Sequence, residues 1–233
     1  MKQTPINQQD EIARFNMPSA IARFNMIEQQ IRTWEVLDPK VLQLLSDVPR
    51  ENFVPEAYKG LAFADIEIPI GFGETMLSPK LEGRILQALD IKKTDNVLHI
   101  GTGSGYFAAL LSHLANHVIS LEINAELSAT AAYTISQNNI HNITLELADG
   151  IYGVSSKAPF DVIVFTGSSP AEPPNVRQQL KVGGVMFIVL GHAPAMQATL
   201  IRRISEDGFS EDVLFETCIP VLENATQTIT FEF

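Results

Sequence analysis

"VLHIGTGSGYFAALL", Val97 to Leu111, decides the fold. Its first half is a short apolar run, the pattern of a buried strand, and its second half is apolar at helical spacing. Gly101, Gly103 and Gly105 lie between the two halves. Glycine lets a chain turn sharply from strand to helix, and lets backbone approach a ligand with no Cβ in the way. The spacing is G-x-G-x-G, with Thr102 and Ser104 between the glycines. Tyr106 stands where a dinucleotide fingerprint carries its last glycine.

Downstream, the same alternation continues. "HVISLEI" reads as a second strand, "AELSATAAYTISQNN" as a helix and "ITLELAD" as a third strand. "FDVIVFTG" is a fourth strand, "PNVRQQL" a helix and "GGVMFIVLG" a fifth strand. Strands alternating with helices predict an α/β protein with a doubly wound, mostly parallel sheet. The terminal "TQTITFEF" alternates like an antiparallel strand with one exposed face.

Upstream, "IARFNMIEQQIRTW" and "DPKVLQLLSDV" read as helices, the second with Asp38 as cap and Pro39 at its first position. "PRENFVPEAYKGLAF" carries too many prolines for a regular element. "IARFNM" occurs at Ile12–Met17 and again at Ile21–Met26, with Pro18 between. A nine-residue offset is about half a turn out of phase on one helix, so the first copy reads as part of an arm. The expected organisation is an N-terminal arm over 1–20, a helical subdomain with a substrate-side turn over 21–80, and a cofactor-binding α/β core over 81–233.

The ligand class follows from the strand ends. Glu122 closes the second strand about twenty residues after the glycines, where a carboxylate can accept both ribose hydroxyls. Asp149 closes the third strand, within reach of an adenine edge. The three signals converge on one nucleoside at the switch point of the sheet. The third-strand carboxylate and the missing last glycine favour S-adenosyl-L-methionine over NAD. The candidate cofactor-binding residues are Gly101, Thr102, Gly103, Ser104, Gly105, Glu122, Ile123, Asp149, Gly150 and Thr166. The sequence carries no G-K-[ST], C-x-x-C, H-E-x-x-H or G-x-S-x-G motif. His99, inside an apolar strand, reads as a core histidine and no metal is expected.

Composition bounds the rest. Net charge is −11, and the longest basic runs are the pairs Lys92-Lys93 and Arg202-Arg203, which argues against a nucleic-acid partner. No apolar run is long enough to span a bilayer. Cys218 is the only cysteine and the first residues lack a signal-peptide core, so the expectation is a cytoplasmic protein.

Several segments together resemble the protein-L-isoaspartate O-methyltransferase family. They are "MIEQQIRTWEVLDPKVLQLLSDVPRENFVPEAY", "IPIGFGETMLSP", "VLHIGTGSGYFAALL", "ADG" and "PFDVIVFTGSSPAEPPNVRQQLKVGG". The resemblance runs from about Arg23 to Leu222. It implies a Rossmann-like methyltransferase fold with a seven-stranded sheet whose last strands are rearranged. It also implies S-adenosylmethionine-dependent methylation of the α-carboxylate of isoaspartyl residues in damaged proteins, with isoaspartyl peptides and proteins as partners.

The substrate turn departs from the family. Where the family typically reads G-H-G-Q-T-I-S-Q-P, this chain reads Gly71-Phe72-Gly73-Glu74-Thr75-Met76-Leu77-Ser78-Pro79. Leu77 stands at the serine implicated in holding substrate, and Ser78 falls one position late. Thr75, Leu77 and Ser78 are the candidate catalytic positions. Ser78, before Pro79, also reads as a helix N-cap whose hydroxyl binds a backbone N–H one turn in. "TGSS", Thr166–Ser169, replaces the family's usual T-A-A-A. Two alternatives stay open: a methyltransferase of this fold with a different, less anionic acceptor, and a cofactor-binding homologue with little catalysis.

Overall fold

In the computed structural model, residues 19–225 are described. The first copy of "IARFNM", Pro18, nearly all of the expected arm and the terminal "TQTITFEF" lie outside them.

The described chain begins in helix α1 (residues 19–25), which widens into a π-helical turn, Met26–Ile31, and ends in a 3-10 turn, Arg32–Trp34. Met26, Ile27 and Ile31 are its buried face. Helix α2 (Pro39–Asp47) starts as its sequence predicts, with the Asp38 carboxylate accepting from the Lys40 amide at 2.7 Å. The proline-rich stretch forms only 3-10 turns, Arg50–Asn52 and Glu56–Leu61. A small hairpin follows, β1 (Ile68–Gly71) and β2 (Glu74–Met76), and it leads directly into α3 (Pro79–Leu89).

The main sheet comprises β3 (Asn96–Ile100), β4 (His117–Glu122), β5 (Ile143–Leu147), β6 (Phe160–Ser169), β7 (Leu180–His192), β8 (Ala195–Arg203) and β9 (Phe209–Thr217). Its order is β5-β4-β3-β6-β7-β8-β9. Pairing is parallel from β5 through β7 and antiparallel for β7–β8 and β8–β9. Helices α4 (Tyr106–Leu114) and α5 (Ala125–Gln137) make the crossovers between β3, β4 and β5. After β5 the chain returns to the other side of β3, which puts the topological switch between β3 and its two neighbours.

The central strands are buried on both faces, which explains their near-continuous apolar runs. Alternate residues enter two separate cores. Val97, Val162, Val164, Phe187 and Val189 pack on the face of α2, α3 and α4. Leu98, Ile100, Ile163, Phe165, Met186 and Ile188 pack on the opposite face.

One expectation is corrected here. "PNVRQQL" forms a single 3-10 turn, Arg177–Gln179, instead of a helix. Asn175 adopts a left-handed φ of 65°, and the Gln179 side chain is spent on the backbone of Tyr152 and Val154. Among the described residues the antiparallel edge is built by β8 and β9, strands that the sequence reading passes over. Among the described residues no helix is long and apolar enough to cross a membrane.

Candidate active site

The turn after β3 is shaped by its glycines. Gly101, Gly103 and Gly105 have φ of 93°, 53° and 84°, a region that side chains disfavour. A Cβ on Gly101 would lie 2.9 Å from Thr166 Oγ1, and one on Gly105 would lie 3.2 Å from both Ala131 and Ile135 of α5.

Beneath the turn runs a chain of polar contacts. Thr166 Oγ1 lies 2.7 Å from the Gly101 carbonyl and 3.0 Å from His99 Nε2. His99 Nδ1 lies 2.9 Å from Ser120 Oγ, which is 2.6 Å from Thr102 Oγ1. Burial lowers the His99 pKa to about 3, so the ring is neutral and bridges two hydroxyls. His99 is thus the satisfied core histidine that its strand suggests.

The two strand-end carboxylates face the same cleft. Glu122 accepts from the Gly103 amide at 2.8 Å and from the Asn124 amide at 3.0 Å. Asn124 in turn caps α5. Asp149 accepts from the Ile151 amide at 3.1 Å and from Asn224 Nδ2 at 2.9 Å. The Pro220–Leu222 segment is pinned alongside β6 by backbone bonds to Ser168, and Leu222 and Glu223 form part of the cleft wall.

The cleft is open to solvent and spans about 920 Å³. It brings together Thr75, Leu77, Gly101, Thr102, Gly103, Ser104, Glu122, Ile123, Asp149, Gly150 and Thr166. Two candidates fall outside its lining. Gly105 packs against α5. Ser78 faces a separate groove with Trp34, Asp65 and Phe215.

Ser78 does sit at the N-cap of α3, but its side chain makes no capping bond. Its carbonyl accepts from Leu81 and Glu82, as any N-cap carbonyl does. The side-chain acceptor comes from Asp65, which takes the Lys80 amide at 3.3 Å and the Lys80 ammonium at 2.9 Å. The hydroxyl cap expected of Ser78 is therefore a carboxylate cap from the preceding loop.

At the substrate turn, Gly71, Phe72 and Gly73 have φ of 96°, 58° and 84°. Phe72 is 57% exposed at the tip. Glu74 lines the cleft, and burial, followed by the charges of Glu122 and Glu223, raises its pKa. Thr75 Oγ1 and Tyr106 Oη are buried and have no hydrogen-bond partner among the described residues.

Sequence reasoning missed the pair behind this end of the cleft. The Arg50 guanidinium and Glu82 carboxylate form a fully buried ion pair, and Arg50 also donates to the Leu77 carbonyl at 2.7 Å. Burial pushes the Glu82 pKa up to about 7 against the opposing pull of Arg50. A signal existed: Glu82 lies at helical spacing with the buried Ile85, Leu86 and Leu89, a charge on the core-facing stripe.

A sheet of this order, with a glycine turn after β3 and carboxylates at the ends of β4 and β5, defines the class of Rossmann-like α/β methyltransferases. The profile of the family "Protein-L-isoaspartate(D-aspartate) O-methyltransferase (PCMT)" matches residues 22–225, and the chain belongs to that family. A protein-L-isoaspartate O-methyltransferase of Roseobacter denitrificans is 38% identical over 194 residues, covering 83% of this chain and 91% of the relative. One from Syntrophus aciditrophicus is 38% identical over 185 residues, covering 79% and 85%. A solved protein-L-isoaspartate O-methyltransferase superposes with TM-score 0.76 at 24% identity, over 87% of this chain and 66% of that one. A Plasmodium falciparum structure described as a putative protein-L-isoaspartate O-methyltransferase, in complex with S-adenosyl-L-homocysteine, gives TM-score 0.73 at 21% identity, over 85% and 97%.

Proposed function

We propose that this protein methylates the free carboxylate of L-isoaspartyl residues in damaged proteins, using S-adenosyl-L-methionine. The observation that carries the reading is one cleft in a member of this family, lined both by the strand-end carboxylates Glu122 and Asp149 and by the Thr75–Leu77 segment.

The residues fit the cofactor. Glycines at positive φ let the turn fold tightly against Thr166, Ile70 and α5, and Glu122 and Asp149 offer acceptors for ribose hydroxyls and an adenine amine. Gly101 to Ser104, Ile123, Gly150 and Thr166 line the same cleft. When bound, the cofactor would supply a sulfonium methyl whose carbon a carboxylate oxygen attacks, forming the ester C–O bond and displacing the thioether, which keeps the electron pair of the broken C–S bond. The acceptor carboxylate is ionised at neutral pH, its ordinary pKa being about 4, so the chain supplies no general base. Its task is alignment and exclusion of water. Ile70, Met76, Leu77 and Phe107 give the cleft apolar walls.

On this reading, residues 21–80 form the acceptor-side subdomain and 81–233 the cofactor-binding core, and the partners are isoaspartyl peptides and proteins instead of nucleic acid. We take the cytoplasm as the compartment, since Cys218, the chain's single cysteine, is an exposed free thiol. Incubation with methyl-labelled cofactor and an isoaspartyl peptide tests the acceptor atom. A methyl ester releases its label as methanol in mild alkali, whereas an alkali-stable label overturns the reading.

A second reading rests on Glu74. A carboxylate on the cleft wall, beside Glu122 and Glu223, disfavours an anionic acceptor and favours a neutral or cationic one on the same scaffold.

A further inference from the structure

Tyr106 opens α4 directly after the glycine turn, in the position where a dinucleotide-binding turn carries its last glycine. Its side chain is 1% exposed. The Arg50 guanidinium lies 4.9 Å from the ring centroid and the Phe53 ring 5.4 Å away. These contacts fix the ring, yet the hydroxyl is buried with no partner among the described residues, on a side chain that lines the cleft. Thr75 Oγ1, from β2 on the same cleft, is in the same condition. A buried hydroxyl without a partner forfeits its hydration, so two of them on one cleft call for a ligand that accepts hydrogen bonds.

We infer that Tyr106 and Thr75 are the two hydroxyl donors that hold the acceptor carboxylate, Tyr106 being a substrate-binding residue of the reaction. This rests on the methyl-transfer reading above. Glu74 shares the wall with Thr75, and the Tyr106 and Thr75 hydroxyls are the buried donors, unpartnered among the described residues, set against its carboxylate, which suits them to hold an anion there. Leu77, beside them, offers none. The phenol remains a donor throughout the physiological range, because burial, and then the nearby Glu82 carboxylate, raise its pKa. Arg50, 4.9 Å from the ring centroid, pulls the other way on the phenol, without overcoming that rise. Arg50 is not part of the cleft lining, and its Nη1 and Nη2 are taken by Glu82 and the Leu77 carbonyl, so it contributes field more than contact.

Tyr106→Phe tests this with the ring retained. The variant loses an unpartnered hydroxyl, so its thermal midpoint should stay level or rise. Its kcat/KM for an isoaspartyl peptide should fall about 10- to 100-fold, as should peptide affinity in the presence of S-adenosylhomocysteine. Affinity for S-adenosylhomocysteine alone should hold. Thr75→Val should act in the same direction. Unchanged peptide kinetics and binding in Tyr106→Phe, with an active wild type, would overturn this inference alone. A matching loss of S-adenosylhomocysteine affinity would also overturn it, by assigning the hydroxyl to the amino-acid end of the cofactor. A wild-type protein that neither methylates nor binds the peptide would overturn the functional reading, and this inference with it.

Discussion

Glu122 and Gly103 are joined by a hydrogen bond of 2.8 Å from backbone amide to carboxylate, which ties the end of β4 to the glycine turn after β3. The bond fixes the carboxylate against the one stretch of backbone that a nucleoside can approach closely. Glu122→Ala should therefore weaken S-adenosylhomocysteine binding by roughly 1.5–3 kcal/mol, through loss of charge-assisted bonds to the ribose. Calorimetry on a variant with wild-type thermal stability checks this. Unaltered affinity would contradict the assignment.

The substrate turn invites a gain-of-function experiment. Leu77 is 6% exposed and lines the cleft. Leu77→Ser should add a donor beside the acceptor and raise isoaspartyl methylation by about one order of magnitude. Cofactor affinity should be unaffected, since the strand ends hold the nucleoside. The substitution empties part of the core at a cost of about 2–4 kcal/mol, so rates belong well below the unfolding midpoint. No rise in a folded variant would contradict the prediction.

Helix α3 is capped from outside itself. Asp65→Ala should lower stability to urea by roughly 0.5–2 kcal/mol, because it removes the acceptor at the Lys80 amide. Ser78→Ala should cost less than about 0.5 kcal/mol, since the hydroxyl makes no capping bond. The reverse ranking would restore Ser78 as the cap.

The buried Glu82 gives a pH signature. Its folded pKa of about 7 lies above the ordinary 4.5, so the folded state binds the proton more tightly. That contribution to stability is complete below the unfolded pKa and is lost as pH rises through about 7. Measured against Glu82→Gln, wild-type stability should fall by on the order of 3 kcal/mol from about pH 4.5 to about pH 8. A flat difference across that window would contradict the burial account.

What could be read from the sequence follows the range of the interactions. The strands and the glycine turn rest on local pattern, and Val97–Leu111 alone carries both β3 and the start of α4. The Arg50–Glu82 pair joins positions 32 apart, and the Asp65 cap reaches 15 residues forward, so neither leaves a contiguous motif. "PNVRQQL" looks helical by composition, yet Gln179 turns its amide to the Tyr152 and Val154 backbone and only one turn forms. Strand β8 escapes notice because its buried positions run consecutively from Ala198 to Ile201, the polar Thr199 among them, with no clean alternation.

Initial rates of methyl transfer from S-adenosylmethionine to an isoaspartyl peptide, set against its normal aspartyl twin, test the central claim most directly. The two differ only in which carboxylate of the residue is free. The account predicts transfer to the isoaspartyl peptide as an alkali-labile ester and negligible transfer to the twin. Equal rates on both, or none on either with the cofactor bound, would contradict it.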